Sequence, residues 1–375
     1  MNLDLINEYC LNKHCVLPNT QIDSISDIAR NHIGLHSARI MTPFMTLCSR
    51  MNSFDPKLLI NKLYLDRELI KLRCMRTTLH IVPIDMASIV HKATIDMRLA
   101  ECRLFFKRNN ISVSYLNSFN NLINESLEMP LTADELEKII LKTINFVDED
   151  LKKVLAKKLI KYYWETGVLC YINTTDSWEK EERKYALTQK YYPNMNLDLY
   201  DCEEAKWLLV LEYIKRFGPA TLHDLSWWSG LNISYIRSSL QKYDDSIMKF
   251  DVDKYTFYIL KTEYDNLQSY KRISGDWVSL LAYEDPALKG YFESRLRYVA
   301  EDKYNLLFNQ IGEVRASILY NGKAVGIWEW DKKIKKIKLN FFSLVPNKIK
   351  EQVNNLKKKY EEELYPNQQL VLWDF

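Results

Sequence analysis

The sequence predicts an α+β chain of tandem winged-helix units closed by a small β-rich domain. Three observations point there: helical apolar spacing followed by a pair of strands recurs before about residue 260, the breaks between elements carry helix-capping and turn residues, and short strands take over beyond about residue 276. At 375 residues the chain is longer than one hydrophobic core usually organises, and 47% hydrophobic with 13% aromatic residues suits several packed modules.

Taken in order, residues 1–125 read as a first unit, with helices over 4–11, 24–33, 43–50 and 56–64 and then strands over 70–76 and 78–82. The second unit, 129–192, opens where Thr132 and Glu135 have capping-box spacing ahead of an apolar run. Its next helix, 151–164, puts Leu151, Leu155, Leu159 and Tyr162 on one face, with Lys153, Lys157 and Lys161 largely opposite. Gly167 ends that helix, and strands over 168–172 and 184–188 make a long wing. The third unit, 201–260, has the strongest local signals. A helix over 203–216 stops at Gly218-Pro219, a second starts at the Thr221/Asp224 capping box and closes at Gly230, and a third spans 232–243. Strands over 247–252 and 255–260 follow, the hairpin that a winged helix places behind its recognition helix. From 276 to 342 the strands 278–282, 317–320, 325–329 and 335–341 surround an Asn321-Gly322 turn, and the alternation of the basic run 332–338 predicts a strand with one charged edge. A C-terminal helix and tail occupy 343–375.

Composition removes several function classes. Only 9 glycines are present, with no G-x-G-x-x-G and no G-x-x-x-x-G-K-[ST], so phosphate-cradling loops are absent and ATP is not expected. The net charge of +3 is too small to predict nucleic-acid binding by its sum, so the distribution of cations decides. Seven scattered cysteines without a C-x-x-C pair read as buried free thiols. Cys10, His14 and Cys15 lack the second cluster a zinc site needs. With acidic residues near Met1 and no stretch of membrane-span length, a cytoplasmic protein is expected.

Three stretches resemble one family. The first is Ile33-Gly34-Leu35-His36-Ser37-Ala38-Arg39 with Thr42-Pro43-Phe44, Leu47, Ser49 and Arg50, continued by Cys74-Met75-Arg76-Thr77-Thr78-Leu79-His80-Ile81-Val82-Pro83. The second runs from Tyr213 through Gly218-Pro219-Ala220-Thr221 to Leu231, and the third from Asp285 and Gly290-Tyr291 to Asn321-Gly322 and Trp328. Together they resemble the AlkZ/YcaQ-like winged-helix DNA glycosylases over nearly the whole chain. The resemblance implies hydrolysis of the N-glycosidic bond of bulky or crosslinked N7-alkylated purines, in DNA repair or self-resistance to a genotoxin. It departs at the catalytic motif: active relatives place Gln-x-Gln or Gln-x-Asp after Gly-Leu, to hold the attacking water, and this chain has His36-Ser37-Ala38.

His36 is the candidate catalytic residue, because imidazole titrates near neutrality and suits general-base work, and Ser37 adds a short hydroxyl. Strand alternation predicts Arg76, Thr78 and His80 on one face, lining a pocket or forming a buried polar network. Trp227 and Trp228 read as core. Arg39, Lys153, Lys157, Lys161 and Arg237 are the candidate DNA contacts. The expected partner is double-stranded DNA with an alkylated or crosslinked purine, with no metal, no cofactor and no membrane, the protein acting as a monomer. The alternative is a winged-helix DNA-binding protein without hydrolytic activity: a lesion sensor, a protective binder or a transcriptional regulator. A small-molecule enzyme on a repurposed scaffold is a third class.

Overall fold

The computed structural model describes residues 1–145, 148–242 and 244–365. The first half of the chain carries α1 Leu3–Lys13, α2 Ile25–Asn31, β1 Leu35–His36, α3 Thr42–Cys48, α4 Pro56–Tyr64, β2 Leu69–Arg73, β3 Leu79–Pro83, α5 Ala87–Arg108, α6 Val113–Asn117, α7 Asn120–Ser126, α8 Ala133–Thr143, α9 Glu149–Glu165, β4 Leu169–Asn173, β5 Arg183–Leu187 and α10 Thr188–Tyr191. It continues with α11 Cys202–Phe217, α12 Leu222–Ser229, α13 Ile233–Lys242, β6 Ile247–Val252, β7 Tyr255–Leu260, α14 Lys261–Ser269, β8 Val278–Leu281, α15 Pro286–Lys289, α16 Tyr304–Leu307, β9 Ser317–Tyr320, β10 Lys323–Asp331, β11 Lys336–Phe341 and α17 Asn347–Leu364. Two compact units result: Met1–Leu59 with Val210–Phe375, and Ile60–Leu209. The division near residue 60 falls inside the stretch 1–125 that the sequence reads as one module. Of the 343–375 segment, the tail 366–375 lies outside the described residues, as does Tyr243 at the end of the expected third helix.

In the unit Ile60–Leu209, α8 starts at a capping box. Thr132 Oγ1 accepts the Glu135 N–H at 3.3 Å, and the Thr132 N–H donates to Glu135 Oε2 at 2.8 Å. Asp148 caps α9, its Oδ1 accepting the N–H groups of Asp150 and Leu151. The apolar faces of α8 and α9 bury Leu136, Ile140, Leu155 and Leu159 against Phe106 and Leu116. β4 and β5 pair antiparallel from Leu169↔Leu187 to Asn173↔Arg183, and Leu131, just before the cap, bridges Tyr185 of β5.

The 22-residue α5 has no counterpart in the sequence reading. It buries a polar stripe, with Ser88, His91, Thr94 and Arg98 all inaccessible. Arg98 donates to Glu165 Oε2 at 2.8 Å, to the His91 carbonyl at 2.9 Å and to Thr94 Oγ1 at 3.1 Å, while Arg73 reaches Glu165 Oε1 at 2.6 Å. A carboxylate with two guanidinium partners is thus held without water, which requires this full set of donors.

The other unit repeats the scheme of cap, helix, helix and hairpin. Thr221 and Asp224 form the second capping box, Gly230 closes α12 in the left-handed conformation, and β6 and β7 pair from Ile247↔Leu260 to Val252↔Tyr255. Ala220, just before this cap, bridges Tyr258 of β7, as Leu131 bridges Tyr185. Asp224 is wholly buried, and its Oδ1 also accepts the N–H groups of Phe292, Glu293 and Ser294. A four-stranded antiparallel sheet in the order β11-β10-β9-β8 forms the β-rich part, turning at Asn321-Gly322 with both residues at positive φ.

Two strand expectations are corrected. The run 332–338 is not one strand: residues 332–335 form the turn between β10 and β11, because Asp331 Oδ1 accepts the N–H groups of Lys333 and Ile334 and Lys335 takes a left-handed φ. The strand 70–76 ends at Arg73, because Met75–Thr77 coil into a 3-10 turn with Arg76 and Thr77 at φ 50° and 59°. Thr77 thus holds a left-handed conformation that glycine adopts at least cost.

Candidate functional site

The segment carrying His36 is set by a tight exit from α2. Ile33 and Gly34 are both at positive φ, 51° and 102°, and the Gly34 N–H bonds the Ala29 carbonyl at 2.8 Å. A β-branched residue in that region is strained, so the surrounding packing must enforce it. Leu35, His36 and Ser37 then run buried, and Ala38 and Arg39 emerge to solvent. The Ser37 Oγ is buried and makes no hydrogen bond among the described residues.

Three consecutive residues after β8 hold this segment. The Tyr283 ring lies 3.4 Å from the Arg39 guanidinium carbon, and the Tyr283 hydroxyl donates to Glu313. Glu284 places Oε2 at 3.9 Å from His36 Nε2. Asp285 takes Arg50 in a bidentate pair of 2.6 and 2.9 Å, both side chains wholly buried, and its Oδ1 caps α15 at the Ala287 N–H. Glu284 itself has φ 56°, accepts the Val314 N–H on Oε1 at 2.7 Å, and pairs with Lys289 through Oε2. Burial pushes its carboxyl upward, against the pull of Lys289 and the Val314 N–H. The chemistry is that of an imidazole beside a sequestered carboxylate, which can receive a proton and stabilise the resulting cation.

The expected face of Arg76, Thr78 and His80 does not form by strand alternation. Arg76 lies in the 3-10 turn, Thr78 precedes β3 with its hydroxyl donating to the Met75 carbonyl at 2.9 Å, and His80 alone is in the strand, opposite Leu72. His80 is buried, with Nδ1 at 3.2 Å from the Thr78 carbonyl and 3.4 Å from Cys74 Sγ.

The basic residues divide. Lys161 shares the carboxylate of Glu101 on α5 with Lys158, so its ammonium is engaged within the protein. Lys153 and Lys157 are exposed on α9 and have no ion-pair partner among the described residues. Arg237 is exposed on α13 and lines a cleft of about 680 Å³ with Lys249, Lys254, His223 and Glu293. Trp228 is core, whereas Trp227 is half-buried and stacks on Phe292 at 4.5 Å, with Lys289 Nζ 5.5 Å from its ring. Sequence reasoning missed Glu284 and Lys289. A single carboxylate in a loop and a single lysine at the end of the short α15 carry no spacing signal, and only their neighbours in space single them out.

His14 stacks on His32 and contacts the Tyr291 hydroxyl at 3.2 Å, and among the described residues no group of three or more His, Cys, Asp or Glu is placed to hold a metal. All seven cysteines are free, six of them buried. Among the described residues no helix is long and apolar enough to cross a membrane.

No curated protein matches the sequence. Among solved structures, the chain is similar to the Streptomyces sahachiroi DNA glycosylase AlkZ, with a TM-score of 0.79 at 18% identity over 96% of this chain and 97% of that one. At that identity the likeness concerns the fold, a mixed helical and antiparallel-sheet architecture. The family model described as DNA glycosylase AlkZ-like matches residues 30–353, a span that includes both the His36 segment and the Tyr283-Glu284-Asp285 loop. The chain therefore belongs to the AlkZ-like DNA glycosylase family.

Proposed function

We propose that this protein is a monofunctional DNA glycosylase that releases a cationic N7-alkylated purine from duplex DNA, with His36 taking the proton of the attacking water. The observation that supports it most is the environment of His36: at the position of the family's first glutamine, a buried imidazole sits 3.9 Å from a carboxylate that is itself held by Lys289 and a backbone N–H. Little else is needed. The alkylated ring is already positive, so the N9–C1′ bond breaks with its electron pair neutralising the purine, water oxygen bonds to C1′, and one water proton passes to the imidazole. Two winged-helix units, 129–192 and 201–260, would carry the DNA, with Lys153, Lys157, Arg39 and Arg237 meeting phosphates. Free thiols fit a cytoplasmic protein. A monomer is tested by sedimentation over a concentration series.

The test uses a duplex oligonucleotide containing N7-methylguanine. The expected result is an alkali-labile abasic site from the wild type and a loss of roughly a hundredfold or more in His36→Ala, measured on protein whose circular dichroism is unchanged. One observation favours the second reading, a passive lesion binder: Ala38 brings only a methyl group to the motif's second position, at the surface. Tight binding of the lesion duplex with no abasic product would establish that reading instead.

A further inference from the structure

Ala38 brings no polar group to the segment that carries His36. The structure brings a carboxylate to the same segment from a distant part of the chain. Glu284 is 2% exposed, and its position is over-determined. It sits at a left-handed φ of 56°, a costly conformation for a residue with a side chain, between Tyr283 on Arg39 and Asp285 on Arg50. Tyr283 and Asp285 thus each hold one residue of the stretch 36–50, and Glu284 between them faces the imidazole at 3.9 Å. Its remaining bonds, to the Val314 N–H and to Lys289, keep the buried carboxylate supplied with donors.

We propose that Glu284 is the positioning carboxylate of this site, orienting the His36 imidazole and stabilising the imidazolium formed when it takes the proton from water. The proposal rests on the glycosylase reading for its chemistry, but the pair it invokes is measurable without turnover. The proton stays on His36 after transfer, and Glu284 remains ionised as its counter-charge. At 3.9 Å the carboxylate acts on the imidazole through its charge, which raises the ring's basicity. The charged and titratable groups around the pair are Lys289, Glu313, Tyr283, Arg39 and the Arg50–Asp285 bridge. Of these, Lys289 is in direct contact with the carboxylate and tempers its effect on the ring. Lys289 is steadied in turn beside the Trp227 ring.

The experiment compares wild type, Glu284→Gln and Lys289→Met by NMR titration of the His36 ring protons and by pH profiles of base release from the N7-methylguanine duplex under single-turnover conditions. With six histidines in the chain, His36→Gln identifies the His36 signal by its loss. Removing the carboxylate charge should move the His36 midpoint down by about one pH unit, and removing the lysine should move it up. Opposite shifts from two variants cannot come from general destabilisation. The acidic limb of base release, which requires neutral His36, should follow: lower in Glu284→Gln, with the neutral-pH rate reduced roughly tenfold. A midpoint and limb unmoved in Glu284→Gln would overturn the positioning role even if the wild type releases base. A wild type that releases no base at any pH overturns the glycosylase reading, and the NMR shift in Glu284→Gln then supports the His36–Glu284 pair on its own.

Discussion

His36 and Ala38 stand two residues apart and have opposite surroundings, the imidazole buried beside Glu284 and the methyl group at the surface. Because Ala38 is exposed, a longer side chain there meets solvent rather than core. His36→Gln combined with Ala38→Gln therefore should fold and, with two amides on the water, release N7-methylguanine at or above the wild-type rate. A folded double variant with no release would show that the segment does not hold the water as the family motif does. Three other histidines, His14, His32 and His91, are buried and bear on stability in acid. Burial, reinforced by Arg98, holds His91 down to about 3. Burial also pushes His14 and His32 well below their usual range, helped for His14 by the neighbouring His32 and for both by Arg50. Their folded-state values lie below the unfolded one, so the stability they contribute is fully present above about pH 6.5 and is lost as pH falls through their depressed values, about 3 for His91. Each contributes a slope of up to about 1.4 kcal/mol per pH unit. Urea midpoints should accordingly drop between pH 7 and pH 5, and His91→Gln should flatten that drop. A midpoint independent of pH over this range would contradict the burial of neutral imidazoles.

At the scale of elements, the same device appears twice. Leu131-Thr132 with Glu135 and Ala220-Thr221 with Asp224 each pair the residue before the cap to a wing strand and start a helix with the capping threonine. A local signal of four residues thus positions a helix against its hairpin, which is why both were legible. The helix α5 was not. Its buried residues include Ser88, His91, Thr94 and Arg98 among Val90, Ala93, Leu99, Cys102 and Phe106, so the apolar period that announces most helices is interrupted by polar residues, Arg98 finding its carboxylate on α9. Glu165→Ala removes the carboxylate that Arg98 and Arg73 share and leaves Arg98 buried without it. The expected loss is about 3–5 kcal/mol in denaturant-derived stability. A loss under about 1 kcal/mol would mean that water reaches the guanidinium.

At the scale of the whole molecule, charge is organised locally rather than in sum. A net charge of +3 includes many cations paired within the protein, Lys158 and Lys161 sharing the one carboxylate of Glu101 among them, while Lys153, Lys157 and Arg237 are open to solvent. DNA affinity should fall as salt rises, and Lys153→Glu with Lys157→Glu should weaken binding to unrelated duplexes alike and reduce the salt slope by about two. Lys161→Glu, by contrast, should act mainly through stability, by opposing Glu101. Equal effects of all three substitutions in a fluorescence titration would return Lys161 to the DNA-facing set.

The sequence by itself determined the elements whose causes are local: the two capping boxes, the Gly230 helix end, the β6–β7 hairpin and the Asn321-Gly322 turn, all fixed by residues within a few positions of one another. It also carried the family resemblance, and with it the notice that His36-Ser37-Ala38 departs from the motif. Tertiary structure alone decided what surrounds His36. Glu284 is some 250 positions away in the chain, and nothing in the residues near either group encodes their meeting. Backbone conformation decided the fate of Arg76 likewise, since two left-handed residues in a row are not written in a Met-Arg-Thr tripeptide. Buried polar partnerships of this kind are set by desolvation, which makes a charged group's stability depend on whatever the fold places beside it and not on its neighbours in sequence.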